Sequence, residues 1–270
     1  MPGVSQKTKI KLLVSENSST FKPMDVKTRT LVIGDIHGGL KALEQVIERV
    51  EVTQEDNLLF LGDYVDGWSE SFEVIEYLLA LEASHSCIFI KGNHDVWCHE
   101  WLQTGVADQV WLKHGGTGTI ASYKNCSDVQ KERHLDFFSR LKNYHTDSQH
   151  RLFIHAGFSS MHGPAHEHYQ SNYNWDRTLW EVARTMDPAI PKSSPLYPER
   201  LKLYSEIYIG HTPTLAYNQS VPMHRMNVWN IDTGAGFYGK LSVLDARTKK
   251  FWQSDALPKL YSGENGRNKP

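Results

Sequence analysis

The chain has 270 residues, 40% hydrophobic and 22% charged, which is enough for one large α/β domain with a sizeable core or for two small ones. Its 29 Lys+Arg against 31 Asp+Glu leave a formal net charge of -2, so no bulk field marks nucleic acid or an anionic membrane as the partner. Three cysteines, Cys87, Cys98 and Cys126, form no CxxC pair and exclude a disulfide scaffold, whereas 14 histidines stand out as potential metal ligands.

The N-terminal stretch carries a short alternation around Ile10 to Val14 that predicts an early strand, and its apolar run, Leu12 to Val14, is too short for a signal-peptide core. No apolar run reaches membrane-spanning length, so a soluble, cytoplasmic protein is expected. From Thr30 the chain reads as a buried strand, a Gly-rich turn and an amphipathic helix with Leu40, Leu43, Val46, Ile47 and Val50 on one face. The unit recurs as NLLFLGDYVDG and SESFEVIEYLLALE, and then as SCIFIKGNHD followed by a Trp-rich helical segment. RLFIHAGF and EIYIGHTP are two further apolar strands that end in Gly and His, and NVWNIDTGAG with GKLSVLDARTKKFWQ predicts a terminal hairpin-like pair. Residues 97–150 and 159–204, rich in Trp, Tyr, His and Pro, are expected to be helical or irregular insertions within a single domain, and 262–270 a frayed polar tail.

Five strand ends therefore carry polar cargo: Asp35 and His37, Asp63 and Asp66, Asn93 with His94 and Asp95, His155, and His211. In open α/β sheets such loops converge on one crevice. The donor set of carboxylate, imidazole and amide oxygen, without thiolate, suits a catalytic centre of Mn, Fe or Zn better than a structural zinc site. Any single Gly-Asp is an ordinary turn, but turn chemistry does not place His after successive strands.

GDIHGG at 34–39, GDYVDG at 62–67, GNHD at 92–95, HAG at 155–157 and GHT at 210–212 resemble, in order, the signature of the PPP-type, calcineurin-like metallophosphoesterases. The length, and GNHD in place of GNHE, bring the chain closer to the small bacterial and phage serine/threonine phosphatases. The resemblance implies β-sheets packed as a sandwich, flanked by helices, with the insertions walling the site. It implies that Asp35, His37 and Asp63 hold one divalent metal, and that Asp63, Asn93, His155 and His211 hold a second. Manganese is the first expectation, with iron or zinc as alternatives. The implied reaction is direct attack of a metal-bridging hydroxide on phosphorus, with His94 as general acid oriented by Asp66.

Gly67 stands where eukaryotic relatives have a phosphate-binding Arg, and Arg177 in NWDRTLW is the candidate replacement, beside Asn93. A surface role for Arg177 is nearly as expected. Asp95 is read as a helix cap and Asp232 as a weaker supporting residue. His114 is placed in a loop near the mouth, and His162, His166 and His168 are read as solvated. The tryptophans Trp97, Trp101, Trp111, Trp175 and Trp180 are expected chiefly to pack the walls.

The leading expectation is a serine/threonine protein phosphatase acting on a phosphoprotein or phosphopeptide, with phosphotyrosine as a further substrate. The alternatives are a dinucleoside polyphosphate hydrolase, which would need aromatic walls as a base pocket, and an inactive phosphatase-fold scaffold. A nucleic-acid phosphodiesterase would need a basic stripe that the sequence does not carry.

Overall fold

The computed structural model describes residues 28–268; the expected strand around Ile10 to Val14 lies outside them. Among the described residues, ten strands form two five-stranded sheets. The first contains β1 (Thr30–Ile33), β2 (Asn57–Phe60), β3 (Ser86–Phe89), β9 (Ser242–Asp245) and β10 (Phe251–Gln253), in the order β10-β9-β1-β2-β3. The second contains β4 (Tyr144–Thr146), β5 (Arg151–Ile154), β6 (Glu206–Ile209), β7 (Met223–Arg225) and β8 (Val228–Asn230), in the order β4-β5-β6-β8-β7.

Period-two alternation decides what lies between the sheets. In β1, Val32 points inward to a shared cluster with Leu59, Phe153, Tyr208, Ile231 and Leu244, which belong to both sheets and nearby loops. Its neighbours Leu31 and Ile33 point outward, against α1 (Leu40–Val50) and α2 (Ser71–Glu82). Ala42, Leu43, Val46 and Val50 form the buried stripe of α1, and Val74, Ile75, Leu78 and Leu81 that of α2, each at helical spacing. On the far side, Leu152, Ile154, Ile207 and Ile209 pack against Leu179, Trp180 and Leu201. The result is a β-sandwich with helices on both outer faces, as the motifs imply.

Each sheet contains three adjacent parallel strands: β1, β2 and β3, ending at one edge of the first, and β5, β6 and β8 in the middle of the second. Six polar loops thus leave strand ends that belong to two packed parallel sets, which allows residues far apart in sequence to share a site.

Three expectations are corrected. NVWNIDTGAG and GKLSVLDARTKKFWQ are not a pair: β8 joins β6 and β7, while β9 joins β1 and β10. Local alternation fixes that both are strands, but the choice of sheet is made by the packing of Ile231 and Leu244 in the interlayer core. The stretch 97–150 is not wall throughout, because β4 near its end pairs antiparallel with β5. The tail does not fray from Ser262. Glu264 accepts hydrogen bonds from the Ser69 amide (3.0 Å) and hydroxyl (2.8 Å), and the Arg267 amide donates to the Gly236 carbonyl at 2.8 Å. Polar composition suggested fraying, yet these groups find fixed partners.

The tail is anchored by Tyr261, 2% exposed, whose ring stacks on Trp68 with centroids 5.1 Å apart and whose hydroxyl donates to Glu70 while accepting from the Lys41 amide. Tyr261→Ala is expected to cost about 3 kcal/mol in urea unfolding, the usual result of deleting a buried aromatic; a loss below about 0.5 kcal/mol, typical of exposed sites, would mean that this anchor does not form.

Candidate metal centre and cleft

The strand-end loops hold unusual backbone. His37, Asp63, Asp66 and His211 all have positive φ, 54°, 54°, 74° and 66°. Non-glycine residues take this region at a cost of about 1–3 kcal/mol each and persist there when the surroundings over-determine them. Asp95 is part of that constraint. Its carboxylate accepts from the amides of Asp63 (2.8 Å), Gly92 (2.8 Å) and Tyr64 (2.9 Å), so it caps α3 (Asn93–Thr104) and at the same time fixes the Asp63 loop. Gly92 and Gly210 allow the closest approaches, since a Cβ at either would overlap the Asp63 or Asp35 carboxylate.

Asp35, His37, Asp63, Asn93, His155 and His211 are all buried and come together. The His155 Nδ1 lies 2.8 Å from the Leu61 carbonyl and must donate to it, which leaves Nε2 as a lone pair in the neutral ring. That lone pair faces Asn93 Oδ1 at 3.2 Å and Asp63 Oδ2 at 3.4 Å, both acceptors. His37 repeats the arrangement: Nδ1 is 3.2 Å from the Val65 carbonyl, and Nε2 is 3.6 Å from Asp63 Oδ2 and 3.9 Å from Asp35 Oδ2. His211 Nδ1 is 2.9 Å from Asn93 Oδ1, and its Nε2 is buried without a hydrogen-bond partner. The His94 amide reaches Asp63 Oδ1 at 3.0 Å and Arg267 Nη1 reaches His37 Nε2 at 3.1 Å; the acceptors that still face one another are reconciled by a proton on His155 or by a cation.

Two groups of side chains have donor atoms mutually within 4.8 Å: Asp63 with His155 and His211, and Asp63 with His37 and His94. Asp63 belongs to both, as a shared carboxylate should. The first group matches the second-metal expectation. The other contains His94 where Asp35 was expected; Asp35 instead accepts from the His211 amide at 3.0 Å while remaining beside His37.

Electrostatics agree with a cation site. Burial, then the Asp232 carboxylate, push Asp35 well above the usual carboxylate range, and burial pushes Asp232 up to about 6 against the Gly234 amide that donates to it. Burial opposes charge on His155, but Asp63 outweighs it and drives the imidazole up to about 10. Burial also opposes the Asp63 charge, yet His155 and His94 hold this carboxyl low.

His94 Nδ1 lies 2.5 Å from Asp66 Oδ2, which leaves Nε2 as the free ring atom. Asp66 is held in turn by Trp111 Nε1 (2.6 Å) and the Thr119 hydroxyl (2.6 Å), and burial pushes it up to about 7 despite them. Neither holder is marked by a sequence motif, and the hydrogen bond from Trp111 adds to the packing expected of it.

A cleft of about 160 Å³ opens over the cluster, lined by Asp63, Asn93, His94 and His211 with Trp97, Val110, His114, Trp175, Arg177 and Arg267. The tryptophans divide. Trp111 and Trp180 are core, and Trp101 packs on Trp111 and Tyr123, whereas Trp97 and Trp175 reach the cleft. Trp175, 41% exposed, stands edge-on to Trp97 and to His211. His114 lines the cleft near its mouth as expected, and Arg177 lines it too. Arg267 was missed, because its tail carried no motif. A larger groove of about 810 Å³ lies elsewhere, beside the helix Thr178–Thr185 and β7, and is lined by no carboxylate.

The pattern of calcineurin-like phosphoesterases matches residues 28–236. The chain belongs to that family. It is a metal-dependent phosphoesterase hydrolase by membership, and the family's two divalent ions suit the shared Asp63. Among curated proteins it is similar to the asymmetrical bis(5'-nucleosyl)-tetraphosphatase PrpE of Oceanobacillus iheyensis, 26% identical over 82% of this chain and 89% of the relative. PrpE of Anoxybacillus flavithermus is 25% identical over 79% and 88%. Among solved structures, a protein serine/threonine phosphatase from Saccharomyces cerevisiae superposes with a TM-score of 0.58 at 14% identity, covering 85% of this chain and 80% of that one. Among the described residues, no helix is long and apolar enough to cross a membrane.

Asp63→Asn is expected to lower bound manganese from about two ions per chain to well below one, read by elemental analysis of the dialysed protein. Full metal content in that variant would remove Asp63 from the shared position.

Proposed function

We propose that the chain hydrolyses a phosphoanhydride of a dinucleoside polyphosphate, in preference to the phosphoprotein esters first expected. The observation that carries this is the cleft wall: Trp97 and Trp175, with His114, line the space directly above the acidic-imidazole cluster. A base can stack on such faces, which contribute about 1–3 kcal/mol per base in nucleic-acid proteins. The names of the PrpE relatives support the same substrate class.

Asp35, His37 and Asp63 would hold one cation, and Asp63, Asn93, His155 and His211 the other; His94, whose Nδ1 is held by Asp66, keeps its Nε2 for the proton donor's role. When bound, the two ions polarise phosphoryl oxygens and acidify water. The protein's own contribution is positional. Asp95 locks the Asp63 loop, Leu61 and Val65 fix the tautomers of His155 and His37, and Arg177 offers a planar fork to phosphate oxygens. Asp66 aims the His94 ring so that Nε2 can give a proton to the departing oxygen.

A polyphosphate leaving group needs little protonation, whereas a serine alkoxide needs it fully. His94→Asn should therefore keep its metals and slow a phosphoserine peptide by about 10²-fold, with a much smaller loss on diadenosine tetraphosphate. Equal losses on both would remove the proton-donor role.

The substrate assignment is tested by manganese-loaded protein on diadenosine tetraphosphate, phosphoserine, phosphothreonine and phosphotyrosine peptides, with EDTA as control. The dinucleotide should have the highest kcat/KM, and Trp175→Ala should raise its KM by about fivefold or more. A peptide preference that Trp175→Ala leaves unchanged would restore the protein phosphatase, and a metal-loaded protein silent on all of them would point to the scaffold.

A further inference from the structure

The C-terminal strap delivers a second guanidinium to the cleft, and its surroundings are built around it. The Arg267 stem runs through a slot of three glycines. A Cβ on Gly67 would lie 3.0 Å from Arg267 Cγ, one on Gly115 3.3 Å from Cγ, and one on Gly236 3.2 Å from Cδ. Side chains at these positions would crowd the stem, so the slot depends on their absence. Gly266, next in the strap, packs so tightly on Trp68 that an added Cβ would stand 2.7 Å from the indole.

The head group is poorly satisfied by the protein itself. Among the described residues, Arg267 makes no salt bridge within 4.0 Å; Nη1 donates to His37 Nε2 at 3.1 Å, Nε is buried without a partner, and Cζ lies 5.0 Å from the Phe237 ring centre. A guanidinium has five donors and needs acceptors. The carboxylates of the metal cluster compensate its charge from a distance, but divalent cations bound there would neutralise those carboxylates and compete for His37 Nε2, leaving the guanidinium to an external anion.

We propose that Arg267 is a phosphoryl-binding residue, carried into the cleft by the C-terminal strap and acting with Arg177 on the oxygens of a bound phosphate chain. The assignment rests on the phosphoesterase reading above. Two forks, one on the loop before the helix Thr178–Thr185 and one on the strap, suit a ligand with several anionic phosphates. Gly67 then makes sense as the residue that clears the space.

The test is calorimetric binding of inorganic phosphate to the manganese-loaded full chain, beside metal content and kcat/KM, for wild type, Arg267→Ala, Arg267→Gln and Arg267→Lys. The Ala and Gln variants should keep their manganese, weaken phosphate binding by about tenfold or more, and recover part of their activity when guanidine hydrochloride is added at millimolar concentration. Lysine should restore less than the fork does. Both variants keep the strap's backbone bond to Gly236, but only Arg267→Gln keeps the Cγ and Cδ stem in the glycine slot, so a loss confined to Arg267→Ala and not rescued by guanidinium would assign the residue to strap packing and overturn the proposal. Phosphate affinity within twofold of wild type at equal metal content would overturn it too, as would variants that bind manganese more tightly and turn over faster, the mark of a guanidinium that competes for His37. A wild type that binds no phosphate overturns the phosphoesterase reading and this assignment with it.

Discussion

The Asp63 carboxylate, buried among the His37, His155 and His211 imidazoles and the Asn93 amide oxygen, is the constraint around which the molecule is arranged. Buried acceptors that face each other repel unless something positive lies between them. His155 cannot relieve the conflict by switching tautomer, because the Leu61 carbonyl requires its Nδ1 proton, and Val65 holds His37 in the same way. The left-handed backbone at His37, Asp63 and His211 adds local strain, which the Asp95 hydrogen bonds and the packed sheet ends sustain. A proton on His155, which the Asp63 carboxylate favours, or a bound cation relieves the conflict.

The sandwich makes this possible. Parallel strands in each of two sheets put several loops at a common edge, and the interlayer core of Val32, Leu59, Phe153 and Tyr208 fixes one sheet against the other. Around the resulting cluster, each supporting shell does a different job. Trp111 and Thr119 hold Asp66, Asp66 holds His94, and the exposed faces of Trp97 and Trp175 belong to whatever occupies the cleft. The identity of relatives named as dinucleoside tetraphosphatases and these aromatic walls pull the substrate assignment in one direction, away from the open groove that a protein phosphatase would use.

That Asp35, His37, Asp63, Asn93, His155 and His211 come together was legible in the sequence because each lies in the polar loop after a short apolar strand, so a local pattern coincides with a global location. Asp66 beside His94 was legible for the same reason. Asp35 shows the limit of that reading: it arrives in the cluster, but its carboxylate turns to the His211 amide, a contact between residues far apart in the chain. The two strands wrongly paired as a hairpin show another, since alternation records burial and not the partner sheet. Arg267 was illegible in a stretch that reads GENGRN, where polarity and glycine suggest fraying. What orders it is Trp68, Glu264 and a glycine slot gathered from three separate loops. The one sequence hint was negative, a glycine at position 67 where similar enzymes carry a guanidinium.

The account stands or falls on two cations sharing Asp63. Anomalous diffraction at the manganese edge from crystals of the manganese-loaded protein tests it directly. Two peaks about 3.5–4 Å apart, on either side of the Asp63 carboxylate and with His37 beside one and His155 and His211 beside the other, are predicted. A single peak away from Asp63, or none with these side chains hydrogen-bonded to water, would contradict it.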